Sequence, residues 1–193
     1  WREIQFRRFF RVLFLLPMMT TPVIISALWR TILNESLGPV NNILGFFGVT
    51  PPWLTDSGWA IGSVMLVQVW VWTPFMFLLL LAGLISLPRE PFLAAEIDGA
   101  GPIRTFLNVT FPLMAPISIG AIMLRLIAAS KIMATPFVLT SGGPGTATET
   151  SSYYIYIRGL KDFNIGYASS LSIIYLVIMI LLLTILAKVL IRI

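Results

Sequence analysis

Cysteine and histidine are absent from the 193-residue sequence, and charged residues make up only 11% of it. Without cysteine there is no disulfide framework, no thiol nucleophile and no cysteine–zinc cluster. Without histidine the chain lacks the commonest general base and the commonest transition-metal ligand. The composition therefore predicts no metal site and no cofactor, and it disfavours an enzyme that carries out hydrolysis.

Apolar residues are correspondingly abundant, at 58% of the sequence, against roughly 45–50% in soluble domains. Because a soluble fold could not cover its surface with so few charges, the composition predicts a membrane protein. The formal net charge of +5 does not indicate a nucleic-acid partner, since no basic cluster accompanies a soluble recognition helix.

Runs without charge indicate where the chain crosses the bilayer, because a spanning helix needs about 20 apolar residues. Four such runs predict an all-α membrane protein with four transmembrane helices, near residues 11–31, 63–87, 112–138 and 167–190. The third span is expected to continue to the turn that begins at Ser141. Two cations, Arg125 and Lys131, would then lie at or near membrane depth.

Lysine and arginine are unevenly divided between the two sides that four spans define. The chain ends and the 88–104 loop carry Arg2, Arg7, Arg8, Arg11, Arg89, Arg104, Lys188 and Arg192. The two opposite loops carry only Arg30, Arg158 and Lys161. Because short cytoplasmic loops are enriched in Lys and Arg, both ends of this piece are expected in the cytoplasm.

The cytoplasmic loop 88–111 is predicted to form two short helices with a break between them. Pro91 suits the first turn of a helix, Gly99 suits a helix end, and Pro102 can open a second helix that ends before Pro112. A surface segment of this kind, small and apolar at its centre, is shaped to dock into another protein. A loop that merely joins two spans explains the same residues, and both interpretations stay open at this point.

Spacing within this loop is distinctive: Ala94-Ala95 is followed after three residues by Gly99, and after nine more by Val109, one residue, and Phe111-Pro112. This pattern resembles the coupling motif of ABC-importer permeases, which reads Glu-Ala-Ala, three residues, Gly, nine residues, Ile, one residue, Leu-Pro. Leu93 stands where that motif has Glu, so no coupling role that needs the carboxylate carries over.

Other segments resemble the carbohydrate, maltose-type branch of those permeases, among them Leu81-Ala82-Gly83-Leu84, Leu139-Thr140-Ser141-Gly142-Gly143-Pro144 and Gly166-Tyr167-Ala168. The resemblance implies the type I ABC-importer permease bundle, of which this piece would hold the last four of six core helices, with the first two missing. It implies that an ATPase subunit is coupled through five positions, Ala94, Ala95, Asp98, Gly99 and Ala100.

The same resemblance implies a set of partners. These are a second homologous permease that forms a heterodimer, two cytoplasmic ATPase subunits that hydrolyse ATP, and an extracellular or periplasmic solute-binding protein. The complex would lie in the cytoplasmic membrane of a bacterium or archaeon, in contact with the lipid bilayer. The chain itself would be a non-catalytic transport subunit for a carbohydrate.

In maltose-type permeases the substrate touches the helix after the coupling loop and the helix before it. The matching positions here are Trp72, Phe75, Arg125, Ala129 and Ile132. With Ala128, the last three are spaced i, i+3, i+4 and i+7, which predicts one helix face. Alternatives stay open: the aromatics suit packing or lipid contact, Arg125 suits pairing with backbone carbonyls or the partner permease, and the alanines suit close helix packing. Many relatives have an acidic residue where Ala128 stands.

Three other classes of membrane protein stay open as alternatives. An ABC permease for glycerol phosphate, an amino acid or phosphate is the alternative closest to the resemblance. A secondary transporter commonly uses intramembrane carboxylates or histidine as relays, whereas all eight acidic residues lie outside the predicted spans. A purely structural membrane subunit would leave the motif in the 88–111 loop without a purpose.

Overall fold

The computed structural model describes residues 16–191, and within them the chain is helical without strands. A 3₁₀ turn at Leu16–Met19 comes first. The helices that follow are α1 (Pro22–Ile32), α2 (Pro39–Gly45), α3 (Ser57–Ile85), α4 (Glu90–Ile97), α5 (Pro102–Ser130), α6 (Ala134–Leu139), α7 (Ser151–Tyr156) and α8 (Ile165–Ile191).

Three of the described helices, α3, α5 and α8, are long and apolar enough to cross a membrane. They correspond to three of the four predicted spans. The first predicted span, 11–31, is not one continuous helix: its described part is the 3₁₀ turn, an interruption at Thr20 and Thr21, and the shorter helix α1. The reason is Pro22, because a proline pushes the preceding residue out of the helical region, and Thr21 is extended with φ −67° and ψ 144°.

Helix α3 begins six residues earlier than the predicted start at residue 63 because Asp56 caps it. The Asp56 carboxylate accepts the backbone N–H groups of Gly58 and Trp59 at 3.0 and 3.2 Å. Such a cap satisfies donors that a helix N-terminus otherwise leaves unpaired.

The described chain forms two compact units, of which the first comprises the residues up to 74 together with 130–178. Its core contains Ile25 of α1, Val67 of α3 and Leu139 of α6. Beside this core, the Gln68 amide donates a 2.6 Å hydrogen bond to the hydroxyl of Thr135, and both side chains are buried. A buried polar pair of this kind links α3 to α6 and fixes their register.

The second unit comprises residues 75–129 and those from 179 onward. Within it α3 and α5 approach closely at Gly83, where a Cβ atom would lie 2.6 Å from Cγ2 of Ile117. Small residues allow this kind of close approach between helices in membranes. The glycine of the Leu81-Ala82-Gly83-Leu84 segment therefore allows α3 to pack closely against α5.

Candidate functional site

Helix α4 begins and ends where the sequence predicts. Pro91 stands in the first turn and Glu90 supplies a negative charge at the N-terminus, where the helix dipole favours it. The helix ends at Ile97, Asp98 follows as the C-cap, and Gly99 adopts φ +68°. The first helix of the predicted helix–break–helix loop, and the break after it, are confirmed.

Two backbone hydrogen bonds close the end of α4. The N–H of Gly99 donates to the carbonyl of Glu96 at 3.0 Å, and the N–H of Ala100 donates to the carbonyl of Ala95 at 2.9 Å. Together with the positive φ these bonds form a Schellman motif. A Cβ atom on Gly99 would meet nothing within 4 Å, so conformation rather than space within this chain calls for glycine.

Around this turn the loop exposes apolar side chains. Ala95 faces inward and is only 8% exposed, whereas Ala94, Asp98 and Gly99 are exposed. Ile97 is 87% exposed and Ile103, at the start of α5, is 76% exposed. Exposed apolar residues grouped on a membrane-flanking loop are typical of a surface that contacts another protein.

The second half of the loop differs from the prediction. The helix that Pro102 opens does not end before Pro112 but continues as α5 to Ser130. A π turn over Phe106–Thr110 makes this possible, with the N–H of Phe111 bonded to the carbonyl of Phe106. Because the wide turn shifts the hydrogen-bond register just before Pro112, the helix can absorb the missing N–H of that proline.

Trp72 and Phe75, two of the predicted pathway residues, lie three positions apart on α3, and both are half-buried. Pro74 between them is fully buried and does not interrupt the helix. The hydroxyl of Thr73, which directly precedes Pro74, donates a 2.6 Å hydrogen bond to the carbonyl of Val69, one turn earlier in α3.

The predicted pathway face on the third span is shorter than expected. Arg125, Ala128 and Ala129 are half-buried on α5, but this helix ends at Ser130. Ile132 follows that end in non-helical backbone, so it does not extend the helical face that its spacing predicts. The prediction of one continuous helix over 112–138 is therefore wrong.

The break has its cause in Pro136. In a continuous helix the N–H of residue 136 would bond to the carbonyl of Ile132, but proline has no N–H and its ring would clash there. Ile132 instead accepts a 2.6 Å hydrogen bond from the hydroxyl of Thr150. The same hydroxyl accepts the N–H of Tyr153 at 3.3 Å and caps α7.

The last carbonyl of α5 is satisfied in a similar way. The carbonyl oxygen of Ser130 accepts hydrogen bonds from the hydroxyls of Ser152 at 2.9 Å and Tyr175 at 2.8 Å. Three hydroxyl groups from later in the chain thus replace the helical partners at the break. This capping could not be predicted from the sequence, because Pro136 is the one local signal and its effect depends on side chains far away in sequence.

A cavity of ≈ 550 Å³ lies in the first unit, with Glu149, Tyr154 and Tyr175 among its lining residues. None of the five predicted pathway residues lines it. No group of three or more Asp, Glu, His or Cys side chains that could hold a metal ion occurs in the described part of the chain.

Comparison with known proteins gives consistent matches. The sequence profile of the binding-protein-dependent transport system inner membrane component family matches residues 1–193. A probable ABC transporter permease protein, y4oQ of Sinorhizobium fredii, is 40% identical over 172 residues, which cover 89% of this chain and 55% of that protein. The trehalose/maltose transport system permease protein MalF of Thermococcus litoralis is 39% identical over 163 residues, which cover 83% and 55%.

The chain thus spans about half the length of the curated relatives it matches. Among solved structures, a bacterial ABC transporter involved in the import of the acidic polysaccharide alginate superposes with a TM-score of 0.86 at 24% identity, over all of this chain and 68% of that one. This likeness establishes the all-α fold of an ABC-importer permease. By the match along its whole length, the chain belongs to the family of binding-protein-dependent transport system inner membrane components.

Proposed function

We propose that this chain forms half of the translocation pathway of an ATP-driven, binding-protein-dependent importer for a carbohydrate. A second, homologous permease forms the other half, two cytoplasmic ATPase subunits supply the energy, and a solute-binding protein delivers the solute. The chain itself hydrolyses nothing. Both of its ends and the 88–111 loop face the cytoplasm, as the excess of Lys and Arg on that side favours.

The observation that carries this proposal is the geometry of α4 and the turn that follows it. Ala94, Asp98 and Gly99 are exposed there, the Schellman turn holds the backbone in one conformation, and Ile97 projects an apolar side chain into the surroundings. An ATPase that docks on this segment meets a preorganised surface and loses little conformational entropy in ordering it. Ala95 and Ala100 contribute to this surface because their small side chains leave the backbone of the turn accessible to the ATPase.

A carbohydrate is the solute class that the sequence motifs favour. The similarity to MalF of Thermococcus litoralis supports this class, because that relative's name refers to trehalose and maltose. Glycerol phosphate, an amino acid or phosphate is the alternative, and a transport assay with a panel of solutes distinguishes them.

Five side chains are proposed to line the pathway: Trp72, Phe75, Arg125, Ala129 and Ile132. The half-burial of these residues is compatible with such a role. Aromatic rings offer flat apolar faces for sugar rings, and an arginine offers several hydrogen-bond donors for hydroxyl groups.

Site-specific cross-linking tests the docking proposal cleanly, because the native sequence has no cysteine. Ile97→Cys in the assembled complex is expected to cross-link to the ATPase subunit. Leu37→Cys is the matched control, since Leu37 is similarly exposed, at 84%, but precedes the N-terminal end of α3, whereas α4 follows the C-terminal end of that helix. Absence of an Ile97 cross-link in a complex that still transports, or equal cross-linking from both positions, would refute the docking role.

A further inference from the structure

Residues 36–55, which connect α1 to the start of α3, carry no charge. Within them, the segment from Leu37 through α2 to Val49 exposes large apolar side chains. Phe46 is 89% and Phe47 78% exposed, and Leu37, Ile43 and Val49 are also exposed. We call residues 37–49 the apolar foot.

The apolar foot is held firmly rather than loosely. Asn41, which is buried in α2, donates through its amide to the carbonyl of Pro51 at 3.2 Å. The amide oxygen of the same side chain accepts the indole N–H of Trp53 at 2.8 Å. Both ends of the segment 41–53 are therefore tied together through one asparagine.

This tie fixes the depth of the apolar foot along α3. The carbonyl of Trp53 accepts a 2.8 Å hydrogen bond from the hydroxyl of Ser63. Ser63 stands six residues after Ser57, the first residue of α3, which is about 9 Å along a helix axis. The rings of Trp53 and Trp59 also meet edge to face, with centroids 5.0 Å apart.

The length of α3 indicates which layer of the bilayer surrounds its first turns. Its 29 residues make a helix about 43 Å long, whereas the hydrocarbon core is about 30 Å thick and the bilayer with its headgroup regions about 40–45 Å. The first turns of α3 therefore cross the headgroup layer, where tryptophan is enriched. The apolar foot is bonded to α3 at this same level.

We propose that the apolar foot inserts into the interfacial layer of the bilayer, at the level where α3 begins. Its occupant is lipid: Phe46, Phe47 and Ile43 contact the boundary between headgroups and acyl chains. The absence of charge, the exposed aromatic rings and the attachment beside the start of α3, where Trp59 and Met65 are also exposed, all match an interfacial helix. The proposal requires that the chain spans a membrane, and it is independent of the transported solute.

Fluorescence depth measurement tests this directly. Phe47→Cys is labelled with the environment-sensitive dye NBD in the assembled complex, in nanodiscs of phosphatidylcholine and phosphatidylglycerol. The emission maximum is expected at shorter wavelength than for labelled Thr146→Cys, an exposed loop position in the same unit. Nitroxide lipids with a shallow label are expected to quench the Phe47 probe several-fold more than the Thr146 probe.

Two outcomes would overturn the proposal. Strong quenching of the Phe47 probe by aqueous iodide would mean that the apolar foot faces water. Protection from both iodide and nitroxide lipids would mean that another protein covers it. Val49→Cys provides a second probe in case the Phe47 variant assembles poorly.

Discussion

The hydroxyl of Thr150 lies 2.6 Å from the carbonyl oxygen of Ile132 and donates a hydrogen bond to it. In an unbroken helix that carbonyl would have faced the nitrogen of Pro136, which carries no hydrogen. A side chain 18 residues later thus replaces a backbone partner. It stabilises the break that divides the third predicted span into α5 and α6.

Thr150→Val is therefore expected to destabilise the chain. It leaves the Ile132 carbonyl without this partner, which costs about 1–3 kcal/mol, and it removes the N-cap of α7, which costs about 1 kcal/mol more. Thr150→Ser keeps the hydroxyl and should lose much less. Denaturant unfolding in micelles measures both, with the exposed Thr146→Val as control; equal stability of the two Thr150 variants would contradict the capping role.

Gly83→Ala is expected to force α3 and α5 apart in the second unit, because its Cβ would lie 2.6 Å from Ile117 Cγ2. Overpacking of this kind costs about 1–3 kcal/mol. Gly120→Ala on α5 is the matched control, since a Cβ there meets nothing within 4 Å. Adding Ile117→Ala should restore part of the stability lost in Gly83→Ala. If the double variant is no better than the single one, the close contact is not the cause.

Gly99→Leu is expected to reduce both ATPase recruitment and transport while membrane insertion stays normal. The left-handed backbone at Gly99 costs a residue with a Cβ atom about 1–2 kcal/mol, so the turn would open. Gly99→Asn should retain more activity, because asparagine tolerates this conformation. Pull-down of the ATPase with reconstituted complexes measures recruitment. Parent-like transport by Gly99→Leu would argue against docking at this turn.

Acidification is expected to loosen the 33–56 loop through Glu35. Its burial alone would raise the pKa of the carboxyl, but hydrogen bonds from the Thr55 hydroxyl and from the N–H groups of Leu54 and Thr55 outweigh burial and lower it. Since the pKa is lower in the folded state, the stabilisation is present above the ordinary value of 4.5 and is lost as the pH falls through the folded value.

Glu35→Gln should therefore flatten the loss of thermal stability between about pH 6 and about pH 3. Glu96→Gln, which removes the charge of an exposed residue of α4, is the matched charge control. A parent-like slope in Glu35→Gln would show that this carboxylate does not carry the pH dependence.

Trp72→Ala and Phe75→Ala are each expected to change transport rate or solute preference without lowering the amount of assembled complex, if they line the pathway. Val69→Ala is the control on the same helix, because Val69 is exposed. Uptake by proteoliposomes across a panel of sugars is the measurement. Unchanged uptake, or a loss that tracks misassembly alone, would remove both residues from the proposed pathway.

Local features of this chain could be predicted from its sequence. The apolar runs specify the helices α3, α5 and α8, because length and hydropathy alone decide whether a helix can cross a bilayer. The end of α4 just before Gly99 follows from the residues around it, since a Schellman turn uses only neighbouring backbone groups. The resemblance to ABC-importer permeases was also visible in this loop, in the motif and its spacing.

Tertiary structure alone decided which prolines interrupt a helix. Pro74 and Pro116 lie inside continuous helices. Before Pro136, by contrast, the helix is interrupted between the end of α5 at Ser130 and the start of α6 at Ala134. All three remove a backbone donor, so the residues themselves do not distinguish them. Beside Pro136, the hydroxyls of Thr150, Ser152 and Tyr175, from later parts of the chain, donate to the carbonyls of Ile132 and Ser130 that the break leaves free. A break becomes stable where such partners are brought close by the fold, and no local pattern encodes that distance.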